Sequence, residues 1–211
     1  MNENEVVVVI LAAGAARRFG RPKQLERWPA PEGPTLVERA VKIASEAQVS
    51  AVYVVTGNQS TEVNRVLSQN AWTKPVKPVF NPRWQDGQGF SVAAGVRTVV
   101  TERPACAGIL FMLADQPRLQ VTTLELLISR FEEAGQAAEQ AIFFPVFNGK
   151  RGNPVLFGRY FFEELAQLEG DTGGRTVMRA HPQAAQEVEV NDPAIHEDVD
   201  TQDDLQNLKA D

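Results

Sequence analysis

Residues 6–13 form an unbroken apolar run, Val-Val-Val-Val-Ile-Leu-Ala-Ala, that ends in a glycine-containing loop. A short, β-branched run of this kind fits a strand buried on both faces, as in a parallel sheet. Thr35-Leu36-Val37-Glu38 has the form of a capping box, and Val37, Ala40, Val41 and Ala44 follow at helical spacing. Residues 51–55 repeat the buried-strand pattern, and Val63, Val66 and Leu67 mark a second helix face. Residues 75–80 read as a short strand whose two prolines suit an edge. The spacing predicts a helix over 91–100, a central strand over 108–113, and a helix carrying Leu124, Leu127, Ile128 and Phe131. Two strand-like runs at 141–146 and 154–157 precede a predicted helix over 160–168. Residues 186–190 alternate as a half-exposed strand, and a last helix starts at Thr201.

Strands alternating with helices, with no internal repeat and no long linker, predict one α/β domain of three α/β/α layers around a mostly parallel mixed sheet. In such sheets ligands bind beyond the carboxyl ends of the strands. That rule directs attention to the loops after Leu11, Val55, Phe80, Leu113 and Val146.

The chain has 211 residues, with 21 Lys+Arg against 27 Asp+Glu, a net charge of −6. The acidic balance argues against sequence-blind nucleic-acid binding. One cysteine, Cys106, excludes an internal disulfide framework and any multi-cysteine metal site. The first apolar run is too short for a membrane span, and Glu3 and Glu5 precede it where a secretory signal has basic residues. The expectation is a cytoplasmic protein with neither membrane nor nucleic-acid partners.

The charge is unevenly distributed. Arg17, Arg18, Arg21 and Lys23 crowd the first loop, while Asp198, Asp200, Asp203 and Asp204 crowd the segment before the last helix. The small residues Ala12, Ala13, Gly14, Ala15 and Ala16 let a ligand approach the backbone, and the cations suit phosphate oxygens. Two phosphate motifs fail: five residues separate Gly14 from Gly20 where a Walker loop has four, and residue 16 is not the second glycine of a dinucleotide fingerprint. Asp115 follows the central strand, where its carboxylate suits either Mg²⁺ or a plain Asp-Gln-Pro turn. Thr201 with Asp204 reads as a helix cap, which leaves Asp198 and Asp200 on one side of an extended segment. Ser91 suits a helix cap or a ligand contact. His181 and His196 lack metal-ligand spacing and read as surface residues.

Leu11-Ala12-Ala13-Gly14-x-x-x-Arg18-x-Gly20-x-x-Lys23 and Leu113-Ala114-Asp115-Gln116-Pro117 together resemble the signatures of the nucleotidyltransferases that activate sugars, isoprenoid precursors and the molybdenum cofactor. Within these the chain most resembles the molybdenum cofactor cytidylyltransferases and the wider MobA-like NTP transferases. The resemblance implies a Rossmann-like nucleotidyltransferase fold spanning residues 1–211, with the nucleotide bound by about 1–118 and the acceptor by about 119–211. It implies a nucleotide held by Leu11, Ala12, Ala13, Gly14, Arg18, Lys23 and Ser91. It makes Arg18, Lys23 and Asp115 catalytic, and places Mg²⁺, or Mn²⁺ in its stead, on Asp115 and Asp200, with Asp198 as a further candidate. Asn153, Asp171 and Arg175 fall in acceptor-side segments. Ala13, where the guanylyltransferase branch has glycine, implies CTP over GTP.

The implied reaction transfers CMP from CTP to the phosphate of molybdopterin, giving the cytosine dinucleotide and pyrophosphate. A molybdoenzyme or its chaperone is the implied downstream partner. Asn153, where the cytidylyltransferase branch often has histidine, leaves other acceptors open, such as a sugar 1-phosphate. A non-catalytic nucleotide-binding chaperone of a molybdoenzyme is the alternative of another class.

Overall fold

The structure, a computed structural model, describes residues 5–16 and 18–210, with side chains described to residue 208. Its strands are β1 (Val6–Leu11), β2 (Val52–Thr56), β3 (Val76–Phe80), β4 (Gly108–Leu113), β5 (Ile142–Phe147), β6 (Lys150–Arg151), β7 (Val155–Gly158) and β8 (Ala185–Glu189). Its α-helices are α1 (Leu36–Glu46), α2 (Ser60–Ser68), α3 (Gln88–Glu102), α4 (Val121–Glu133), α5 (Phe162–Ala166), α6 (Gly174–Ala180) and α7 (Gln202–Ala210). One eight-stranded sheet runs β3-β2-β1-β4-β7-β5-β6, with β8 paired to β5. Strands β3, β2, β1 and β4 are mutually parallel, while β7 is antiparallel to both β4 and β5. The sheet is therefore mixed and mostly parallel, as the alternation of elements predicts.

The unbroken apolar run of β1 is explained by its two coats. Val6, Val8 and Ile10 pack with residues of α1 and α4, and Val7 and Val9 pack with Val92, Val96 and Val99 of α3. Because successive strand side chains point to opposite faces, a strand covered on both sides has no polar position to spare. The β3 edge has the reverse pattern: only Val79 is buried there, and the Pro78 ring costs the sheet no interior hydrogen bond. The Thr35–Glu38 capping box forms as predicted, with the Glu38 side chain accepting from Thr35 N and the Thr35 hydroxyl accepting from Glu38 N.

Two local expectations are corrected. Helix α3 starts at Gln88 with Gly87 at its cap, so Ser91 lies one turn inside rather than at the cap. The helix expected over 160–168 is a 3₁₀ turn, Arg159–Phe161, leading into the shorter α5, where Phe161, Phe162 and Leu165 supply the buried face. Beyond Gly173 a further short helix, α6, begins. That helix buries Val177 and Met178 against the α3 face of the core.

Cys106 is buried, and burial pushes its thiol pKa up to about 12, which leaves it protonated and unreactive. No helix among the described residues is long and apolar enough to cross a membrane.

Candidate functional site

The carboxyl ends of β1 and β4 are adjacent and in register, Leu11 beside Leu113. The two loops that carry the sequence motifs therefore leave the sheet side by side. A cleft of about 420 Å³ opens between them, lined by residues 11–16, Lys23, Gln24, Ser91 and Asp115, and by Trp84, Gln85, Gly87 and Gln88. Ala12 and Ala13 are nearly buried, so the backbone itself forms much of the wall. A second cleft of about 470 Å³ adjoins the first. Phe111, Val155, Phe157 and Met178 give it an apolar side, and Asn153, Asp171, Arg175, Arg179 and Asp198 a polar one. Leu11, Gln88, Leu113 and Asp171 line both clefts.

Lys23 stands at the centre of the charge arrangement. Its Nζ lies 2.5 Å from Asp115 Oδ2 and 3.2 Å from Asp200 Oδ1, and it donates to Val199 O at 2.8 Å. Burial works against the ammonium, but Asp115 and then Asp200 more than compensate and hold its pKa above the ordinary lysine value. Arg18 reaches the same cluster through Asp200 Oδ2 at 3.0 Å, from an exposed position outside the cleft lining. Arg21 does not join it: its guanidinium is paired with Glu26 at 2.5 Å. Arg17 lies outside the described residues. The basic loop is thus not a uniform phosphate surface; Lys23 alone of its described cations lines the cleft.

The first loop is held to the C-terminal segment by its own small core of Phe19, Trp28, Leu36, Val199 and Leu205. The Gln202 amide donates to Phe19 O, and Val199 N donates to Asp115 O. Thr201 and Asp204 cap α7 reciprocally, as expected, and Asp204 Oδ2 also accepts from Asp200 N. The cap therefore presents Asp200 towards Lys23.

Asp115 Oδ1 is buried and has no hydrogen-bond partner. An orphaned carboxylate oxygen in such a place calls for a cation. No group of three or more His, Cys, Asp or Glu among the described residues is placed to hold a metal, which argues against a closed structural site. A hard cation that takes one or two carboxylates and completes its shell with water and phosphate fits Asp115 and Asp200.

Asp198 faces the second cleft with an exposed edge. Partial burial, and the charges of Asp115 and Asp200, push its pKa up to about 6. A folded-state value above the ordinary carboxylate value means that this group costs stability as pH rises from about 4 to about 6 and beyond. Asp198→Asn is therefore expected to raise the metal-free melting temperature at pH 7.5, corresponding to about 1 kcal/mol after allowance for solvent screening. At pH 4 the gain should vanish; an equal gain at both pH values in thermal melts would refute the electrostatic cause.

Ser91 lines the first cleft, and its hydroxyl accepts from the buried Asn81 amide at 3.0 Å. The loops after Val55 and Val146 do not line either cleft. The first of these acts from behind: Asn58 O accepts from the buried Gln24 amide at 3.1 Å. His181 is paired with Glu164 and half-buried against Phe161, away from both clefts. The sequence reading missed Gln24, Trp84, Gln88 and Arg179. Gln88 had a discoverable signal, since it stands between Gly87 and Gly89.

A cleft at the carboxyl ends of parallel strands, a cationic side chain on two carboxylates and an adjoining second cleft define a nucleotidyltransferase-type α/β enzyme. The chain belongs to the MobA-like NTP transferase domain family, whose model matches residues 8–186. It is 28% identical to the purine catabolism protein PucB of Bacillus subtilis (strain 168), over 95% of this chain and 94% of that one. Among solved structures, Rv0371c of Mycobacterium tuberculosis H37Rv superposes with a TM-score of 0.77 at 27% identity, covering 100% of both chains. A complex of that protein with manganese superposes with a TM-score of 0.73 at 26% identity, covering 99% of both.

Proposed function

We propose that this protein transfers the nucleotidyl group of an NTP, held in the first cleft, to a phosphate of a small molecule held in the second. The observation that carries the proposal is the position of Asp115: with its partnerless oxygen and its lysine partner it lines the first cleft, which shares four lining residues with the second. An oxygen of the acceptor phosphate attacks the α-phosphorus in line, and the bond to the leaving pyrophosphate breaks. No protein nucleophile is required, because positioning and electrostatics dominate phosphoryl chemistry.

Asp115 and Asp200 are the residues that would hold Mg²⁺ or Mn²⁺; the manganese complex of the mycobacterial relative supports a divalent cation of this kind. When bound, the cation supplies positive charge to the phosphate oxygens as negative charge moves onto the leaving group. Lys23, released from part of its carboxylate contact, supplies a second positive charge from the floor of the cleft. Backbone of residues 12–14 and the Ser91 hydroxyl orient the base and sugar. Asn153, Asp171 and Arg175 orient the acceptor, with Arg175 suited to its phosphate.

The wider form, any NTP with any phosphate-bearing acceptor, has the better support, since family and cleft geometry both speak for it. CTP with molybdopterin is the narrower form, carried by Ala13 and by the resemblance of the acceptor segments. Pyrophosphate release should be measured with each of the four NTPs, Mg²⁺ or Mn²⁺, and either molybdopterin or a panel of sugar 1-phosphates. The narrow form expects release with CTP and molybdopterin together. Release with another pair keeps only the wider form. Nucleotide binding without turnover on any acceptor would instead indicate the non-catalytic chaperone.

A further inference from the structure

The two clefts meet along a seam in which backbone touches backbone. Gly89 N, in the first turn of α3, donates to Gly170 O at 2.8 Å. A Cβ built on Gly89 would lie 2.7 Å from Glu169 O and 2.8 Å from Thr172 O. One built on Gly87 would lie 2.1 Å from both the C and O atoms of Gly170. Gly87 also has φ +128, a conformation in which a side chain is strained. Across the same seam Arg83 Nη1 approaches Glu169 Oε1 at 4.0 Å, and the turn is closed from within by the Thr172 hydroxyl on Glu169 O at 2.5 Å.

The residues on the two sides of this seam divide by cleft, except that one from each side lines both. Trp84, Gln85, Gly87 and Ser91 line the first cleft, residues 172–176 line the second, and Gln88 and Asp171 line both. A segment packed backbone to backbone has no flexible side chain to absorb a displacement. Movement of one side is therefore passed to the other.

We propose that Gly87 and Gly89 are positioning residues for the acceptor: their seam with residues 169–173 lets a nucleotide held by residues 84–91 set the acceptor-binding loop. This inference rests on the two-cleft reading above. It adds that the bound NTP brings the acceptor loop, with Arg175, to its working place.

Gly89→Ala separates this role from a structural one. Its backbone is helical, so alanine favours the helix locally. The new Cβ nevertheless forces residues 169–172 away, and a shift near 1 Å at a reacting group can cost about 100-fold. The expected result is a fall of at least about tenfold in kcat/KM for the acceptor that the pyrophosphate assay selects. The affinity for Mg²⁺ with CTP or GTP, measured by calorimetry, should change less than about threefold, the usual scatter of individual contacts at a site. Equal losses on both substrates would overturn the assignment.

Amide hydrogen exchange on the unaltered protein gives an independent reading. Saturating CTP or GTP with Mg²⁺ should slow exchange at residues 172–174, which line the second cleft and not the first. If a nucleotide binds and slows exchange at residues 12–16 but leaves 172–174 unchanged, the seam does not couple the clefts, while the proposed function stands. If no NTP binds at all, the proposed function fails and this inference fails with it.

Discussion

Asp115→Asn is expected to lower pyrophosphate release by about 1,000-fold, the upper range for removing one electrostatic contributor to a transition state, without unfolding the chain. The substitution is nearly isosteric, and the backbone there is held by hydrogen bonds the side chain does not make. Ala114 N donates to Leu11 O and Val199 N donates to Asp115 O. Lys23 keeps Asp200 and Val199 O as partners, so its ammonium is not stranded. What disappears is the negative charge of a carboxylate whose buried Oδ1 has no partner. An amide cannot replace it as an anionic ligand for a hard cation. Mn²⁺ affinity, read by electron paramagnetic resonance, should weaken in parallel with turnover. Unchanged turnover and unchanged Mn²⁺ binding would remove Asp115 from the metal site and leave the acids near residue 200 as its holders.

Lys23→Met should act on stability as well as on activity. The ammonium compensates two carboxylates and a carbonyl at once. Its side chain and that of Asp115 are 19% and 18% exposed, so the pair is largely but not wholly withdrawn from water. Removing one partner of a fully buried pair costs about 3–5 kcal/mol, and the open cleft reduces the expectation here to about 2 kcal/mol. A fall of about 100-fold in kcat/KM should accompany it, as the cleft loses the charge that meets the phosphates. Mn²⁺ should restore part of the lost stability in the variant, because it supplies the cation that Asp115 then lacks. A denaturant titration with and without Mn²⁺ tests this. A stable variant with no Mn²⁺ effect would show that Lys23 is not what holds the carboxylates.

Much of the fold was legible because burial leaves a direct mark on residue choice. Strands β1 and β4, covered on both faces, admit only apolar residues, and the Thr35–Glu38 box marks a helix start by local chemistry alone. The α5 and α6 regions were harder to read. Helix α5 has five residues and α6 seven, too few for a period to stand out, and α6 hides behind two glycines. Ser91 looked like a cap because its type favours caps. The true cap is Gly87, whose backbone is chosen by contact with residue 170, a partner that no local pattern reveals.

The sequence by itself determined the α/β class, the rim where the clefts open, and the two motif loops. Those features depend on periodicity and local spacing, which a linear chain displays openly. Only the tertiary structure decided which charges face one another. Arg21 is consumed by Glu26, Arg18 stands outside the cleft, and Lys23 alone of the described loop cations enters it to meet Asp115 and Asp200. It also decided that residues 87–89 and 169–173 close on each other to join two clefts. The physical reason is range: propensity and hydrophobic pattern act within a few residues. The Coulombic and packing contacts that build this site join distant segments; Lys23 and Asp200 are 177 positions apart.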